Sequence, residues 1–173
     1  MQRISKIKTK WDGITKMAGL KVFSWAVVIL WMILIFNLSS QIAEDSNRLS
    51  TGVAGVIVKT IEMIAPKADI DPGRINHLVR KNAHFFAYFV LGLLTLATVN
   101  SNVGRGIKSI LLSFGICLLF AISDEVHQLF IPGRGGQVRD VIIDGSGAAI
   151  GLGIYLFFRR LFKGKRKRSD KIW

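Results

Sequence analysis

Four long apolar runs interrupt an otherwise polar chain. Val22 to Leu38 (VFSWAVVILWMILIFNL) carries no charge, and Ala83 to Val99 holds only a histidine. Ser109 to Ser123 is again uncharged, and Val141 to Phe158 has a single aspartate near its start. A spanning helix needs roughly 20 mostly apolar residues. Each run approaches that length and can extend into its flanks, so the pattern predicts four transmembrane helices. Between the first two runs, Leu49, Val53, Val56, Ile57, Ile61 and Ile64 fall on one helical face, with Lys59 and Glu62 off it. This predicts an amphipathic helix from Ser50 to Ala65, ended by Pro66, lying at the outer interface or capping the bundle. Asp71-Pro72 then reads as an N-cap followed by proline at the first helical position. That helix is expected to run unbroken through GRINHLVRKNAHFFAYF into the second span. The fold class is therefore all-α: a polytopic membrane protein with four transmembrane helices plus an extracytoplasmic amphipathic helix.

Composition agrees with this. The 173 residues suit one domain, and 50% of them are hydrophobic. A soluble all-α domain with buried helices is the alternative, and the four uninterrupted runs argue against it. The first run follows a basic start, as a signal peptide would, but its apolar core is longer than a usual signal core. SSQIA is only a weak cleavage candidate, so we read an uncleaved span. Cys117 is the lone cysteine and lies mid-span, which excludes an intramolecular disulfide.

The net charge of +13 changes meaning once it is placed along the chain. With both termini cytoplasmic, residues 1–21, 100–108 and 159–173 hold 16 of the 24 basic residues and only two acids, Asp12 and Asp170. The other side holds eight basic residues and nine acids. This is the positive-inside asymmetry. The tail KGKRKR reads as a topology anchor against anionic lipid rather than as a nucleic-acid site. Three segments follow: a basic cytoplasmic start over 1–21, a membrane domain over 22–160, and a basic cytoplasmic tail over 161–173.

The densest ionisable cluster lies where the last two spans meet the outside, in SDEVHQLFIPGRGGQVRDVIIDGSG, residues 123–147. Lys81, His84 and Tyr88 share one face of the second span, and Asp124, His127 and Gln128 share a face of the third. Asp140, Asp144, Gly147 and Gly151 share a face of the fourth, and the first span ends in Ser39-Ser40-Gln41. Connectivity brings all of them to one side of the membrane. Ser109 to Ser123 alone would reach only about 22 Å, against a hydrocarbon core of about 30 Å. Asp124 is therefore expected near the outer boundary of the core, or in a locally thinned bilayer. Buried acids of this kind should face the bundle interior and pair with Lys81, Arg134, Arg139 or the histidines. Leu129, Phe130 and Ile131 can dip back into the interface.

Pro132-Gly133 and Gly135-Gly136 bracket Arg134, presenting one guanidinium. Such an arginine suits a planar anion, phosphate or carboxylate. The plainer reading is that it neutralises Asp124 or Glu125. Gly147-x-x-x-Gly151 allows close helix approach, within the bundle or between copies. His84, His127, Asp124, Glu125 and Asp140 offer donors for a metal, but no familiar ligand motif joins them. We expect neither a metal nor a cofactor. Acid–base chemistry by His84, Asp124, Glu125 and His127 stays open, as do a purely structural polar network and non-catalytic binding of a polar headgroup. No Ser–His–Asp order is legible.

These residues resemble a known family. SSQ after the first span, KNAHFFAYFVLG at the second, DEVHQLFIPGRGGQVRD after the third and DGSGAAIG in the fourth are similar to the VanZ-like family of bacterial membrane proteins, over roughly residues 22 to 160. Carried over position by position, the resemblance implies a polar signature at Lys81, His84, Tyr88, Asp124, Glu125, His127, Gln128, Arg134, Asp140 and Gly147. One position departs: Asp144 stands where the family pattern has asparagine, which adds an ionisable group. The family is named for a protein implicated in low-level teicoplanin resistance, and its members typically come from Gram-positive bacteria. The resemblance thus implies a multi-pass protein of the bacterial plasma membrane whose partners are membrane lipids, including a lipid-linked cell-wall precursor. The ligand-binding set is expected to be Lys81, His84, Tyr88, Asp124, Glu125, His127, Gln128, Arg134, Asp140 and Asp144. Reaction, ligand identity and oligomeric state stay undefined at this level.

Overall fold

The computed structural model describes residues 2–40, 43–64, 71–132 and 135–169. Five helices follow one another: α1 (Gln2–Ser39), α2 (Ala43–Ile64), α3 (Pro72–Asn102), α4 (Ile107–Gln128) and α5 (Val138–Ser169). Four contain stretches long and apolar enough to cross a membrane: Ala18–Ser39, Pro72–Asn102, Ile107–Gln128 and Val138–Phe162. Of the apolar 18-residue stretch in each, only 11% is buried inside the protein in the first span and 33–39% in the others. Ile29 and Leu30 on α1, Leu111 and Leu119 on α4, and Ile150 and Phe157 on α5 are all exposed. Apolar side chains turned outward at this density suit lipid, not water, as the solvent. The chain is a multi-pass membrane protein.

α3 is the hub. It packs most extensively against α5, and α1 and α5 each contact both α3 and α4. Val28 and Ile35 of α1, Tyr88 and Leu91 of α3, Cys117 and Ala121 of α4, and Ala148 of α5 form the buried core. Glycines set the α3–α5 spacing. A Cβ on Gly147 would collide with the Phe85 carbonyl oxygen, one on Gly151 with that of Phe89, and one on Gly92 with that of Ala148. The small-residue face of α5 is thus used within the bundle, where backbones touch. Side-chain bonds fasten α1 to α3: the Trp31 indole N–H donates to the Ala87 carbonyl at 2.9 Å, and Thr98 Oγ1 to that of Ser24 at 3.3 Å.

The α3 start follows its local chemistry. Asp71 caps it, its carboxylate accepting from the Gly73 N–H at 2.9 Å, with proline at the start of the helix. The helix then runs without a break to Asn102.

Two boundaries differ from the sequence expectation. α2 begins at Ala43 rather than Ser50, since residues 43–49 hold neither the proline nor the glycine that would break a helix. Its expected end at Ala65 and Pro66 lies outside the described residues. Its packing also differs: Ala54 is the buried residue, whereas Val53, Val56 and Ile57 are exposed. Close contact with the first turn of α3 selects a small side chain and leaves the larger apolar ones facing outward. The third span is Ile107–Gln128, 22 residues, or about 33 Å. Polar Asp124, Glu125 and Gln128 continue the helix because they face the bundle. No thinned bilayer is then required, and Asp124 lies one turn inside the helix end. The basic start of the chain is helical and continuous with the first span, α1 running from Gln2.

Candidate functional site

Above the apolar core, the first polar layer joins α1 to α4. Ser39 Oγ donates to Asp124 Oδ2 at 2.8 Å and accepts from Gln128 Nε2 at 2.7 Å. All three side chains are buried. The i, i+4 spacing of Asp124 and Gln128 lets one serine bridge both. A carboxylate at this depth needs such donors, because burying a polar group without them is costly.

The next layer joins α3 to α5. Lys81 Nζ and Asp140 Oδ1 form an ion pair, both side chains partly buried. One turn deeper, His84 Nδ1 lies 4.0 Å from Asp144 Oδ2, within ion-pair reach but beyond a hydrogen bond. The third tie is a loop clamp. Glu125 Oε1 accepts the Gln137 backbone N–H, holding the return to α5 against α4. Gly136 is required beside it: a Cβ there would lie 2.7 Å from Leu129 Cδ2 and 3.0 Å from the Glu125 carbonyl oxygen.

These ties surround a chamber of about 200 Å³. α3 contributes a stripe of His77, Arg80, Lys81 and His84, spaced i, i+3, i+4 and i+7. α4 contributes Glu125 and Gln128, α5 contributes Asp140, Ile143 and Asp144, and the loop contributes Gly135 and Gln137. The wall is electrically divided, with bases on α3 and acids on α4 and α5. Such a lining suits a polar group that carries charge and hydrogen-bonding functions together, phosphate beside amines or hydroxyls being one example.

Of the residues expected at the site, Lys81, His84, Glu125, Gln128, Asp140 and Asp144 line this chamber. Asp124 stands behind it, on Ser39. Tyr88 is fully buried one turn below His84, its ring 5.9 Å from that of Phe120, and its hydroxyl has no hydrogen-bond partner among the described residues. His127 turns elsewhere: its ring packs against Phe36 of α1 in a tilted pair, centroids 4.3 Å apart, and it does not line the chamber. Arg139 is exposed and likewise absent from the wall. Arg134 lies outside the described residues, as does Gln41; the neighbouring Gly135 is at the chamber edge. Leu129 and Phe130 are exposed at the rim.

Sequence reasoning missed His77, Arg80, Gln137 and Ile143. The first two were legible, since they prolong the Lys81–His84 stripe by one turn. Among the described residues, no three His, Cys, Asp or Glu side chains converge as metal ligands.

Comparison with known proteins places this architecture. A family model described as VanZ/LLP1 matches residues 23–159, a range containing the chamber and most of the four spans. No curated protein and no solved structure matches the chain.

Proposed function

The chain belongs to the VanZ/LLP1 family, and on that premise we propose that its chamber recognises the polar headgroup of an anionic lipid or a lipid-linked cell-envelope precursor. In this reading the chamber opens to the outer face of a bacterial plasma membrane, with both termini cytoplasmic. Occupying such a precursor alters susceptibility to glycopeptides of the teicoplanin type, which act on that face. The observation that carries the reading is the α3 stripe of His77, Arg80, Lys81 and His84 walling one cavity at the end of a lipid-exposed bundle. That is the depth at which lipid headgroups sit. Arg134, which the sequence sets between Gly133 and Gly135, is proposed as a further guanidinium for phosphate or carboxylate.

The test is native mass spectrometry of protein extracted in mild detergent. A phosphate-bearing lipid should stay bound to the wild type, and Arg80→Gln and Arg134→Ala should each release it. Retention of the same lipids by wild type and both variants would remove the headgroup reading.

One contact favours a second reading. His84 and Asp144 approach each other on the chamber wall, which Glu125 also lines. Such a grouping suits acid–base chemistry on a phosphate or acyl linkage. Conversion of the retained lipid over time, abolished by His84→Gln, distinguishes an enzyme from a binding protein.

A further inference from the structure

We propose that the opposite end of the bundle carries a second polar site, one that binds a phosphate oxyanion, presented by an anionic phospholipid or by a soluble phosphate. The site stands independently of the chamber. Lys81 and Asn100 lie 19 positions apart on the continuous helix α3, or about 28 Å, so the two cavities sit near opposite faces of a bilayer.

The cavity has a volume of about 310 Å³ and is built by three elements. Arg159 and Arg160 come from α5, and Arg105 from the α3–α4 turn. Asp and Glu are absent from its described lining, unlike the chamber. Three guanidiniums without a counter-charge on the wall repel one another, and a phosphate relieves this while accepting their N–H groups in pairs.

Two further features point to an anion. Asn100 is more than nine-tenths buried, lines the same cavity, and its side-chain Nδ2 donor has no hydrogen-bond partner among the described residues. Buried donors are normally satisfied, and an oxyanion in this cavity supplies the missing acceptor. The cavity also contains Gly106, the N-cap of α4, which makes no side-chain capping bond. The open first turn of a 22-residue helix adds backbone N–H groups and the positive end of its dipole. Gly104 and Gly106 take φ of +115° and +152°, a region that favours glycine, and so aim the turn that carries Arg105. Basic pockets between spans on the cytoplasmic side characteristically hold phospholipid headgroups.

The experiment uses the full chain reconstituted in nanodiscs of digalactosyldiacylglycerol, a neutral bilayer lipid without phosphate, doped with a phosphatidylglycerol or a digalactosyldiacylglycerol carrying a headgroup-proximal photoreactive tag. Labelled peptides are mapped by mass spectrometry. The phosphatidylglycerol probe should label the segments around residues 100–110 and 156–160. Asn100→Asp, nearly isosteric but anionic, should cut that labelling about tenfold, as expected for losing a charge-assisted hydrogen bond. The exposed change Arg160→Gln should lower it without disturbing folding, verified by an unchanged melting temperature in the absence of probe. Equal labelling of these segments by both probes, or unaltered labelling in a folded Arg160→Gln and Asn100→Asp, would overturn the site. Excess inorganic phosphate separates the sources. If it abolishes labelling and itself raises the melting temperature of wild type but not of Asn100→Asp, the site takes soluble phosphate. Labelling that survives the excess assigns it to lipid.

Discussion

Ser39 and Asp124, 85 positions apart, share a buried 2.8 Å hydrogen bond that ties α1 to α4 behind the chamber. The same hydroxyl accepts from Gln128, so one small side chain serves two polar partners. Ser39→Ala removes both contacts without altering the apolar packing below. Interhelical hydrogen bonds in membranes average only about 0.6 kcal/mol. Here two are lost and one acceptor is a buried carboxylate, so a destabilisation of about 1–3 kcal/mol is expected. Ser40→Ala is the control, because among the described residues Ser40 Oγ bonds only to the Phe36 carbonyl, in the last turn of α1. Thermal unfolding in detergent checks both; equal melting temperatures for the two variants would mean that Ser39 does not tie α1 to α4.

Gly147 and Gly151 support the α3–α5 seam. Alanine at either position drives a methyl group into a backbone carbonyl of α3, which cannot rotate away. Each should cost about 1–3 kcal/mol, as overpacking does, and lower accumulation in the membrane. Gly153→Ala meets nothing within 4 Å and should be neutral or slightly stabilising. Uniform tolerance across the three positions would mean that the helices do not approach this closely.

Lys81 and Asp140 can be tested as a pair. Lys81→Met leaves Asp140 without its ion-pair partner, and Asp140→Asn does the converse to Lys81. The double variant removes both charges, so it should be more stable than the two single losses summed would give. The coupling energy expected for residues in contact is about 0.5–3 kcal/mol; partial exposure places it towards the lower end. A coupling near zero would show that the pair is not held in this geometry.

How much of this was legible in the sequence varied with the range of the interaction. The four spans and the Asp71-Pro72 start of α3 follow from run length and local capping, and both are present. The partner of Asp124 was not legible, because it depends on where α1 crosses α4. The faces of α4 show why. Asp124, His127 and Gln128 lie within one broad stripe, yet crossing by α1 sends Asp124 and Gln128 to Ser39 and His127 to Phe36. Periodicity alone cannot divide that stripe. On α2, the apolar pattern identified a helix but not its contact, which Ala54 makes because helices touch where side chains are small. His77 and Arg80 were passed over because they precede the apolar run, although their spacing already belonged to the Lys81–His84 stripe.

Orientation is tested by accessibility. In a Cys117→Ser background, cysteines at Ser46 and Gly135 should react with an impermeant thiol reagent on intact cells, whereas those at Asn102 and Ser169 should not. The expectation rests on the charge asymmetry: 16 of 24 basic residues fall on the side of the termini. Labelling at Asn102 with protection at Gly135 would invert the protein and turn the chamber to the cytoplasm.

The two histidines next to the acids separate chemistry from packing. His84 lines the chamber beside Asp144, whereas His127 lies against Phe36 and outside the wall. Glutamine keeps hydrogen-bonding capacity at similar size but does not titrate, while imidazole ordinarily does so near pH 6.5. His84→Gln should therefore impair lipid retention, or any conversion of the retained lipid, while the protein still accumulates normally. His127→Gln should leave both functional readouts intact and lower the melting temperature slightly, since it loses an aromatic contact worth about 0.5–1.5 kcal/mol. The measurement is lipid retention by native mass spectrometry alongside melting temperature for each variant. If His127→Gln silences the protein while His84→Gln does not, the working site lies between α1 and α4 around Phe36 and Ser39, and the α3 stripe is only a structural support.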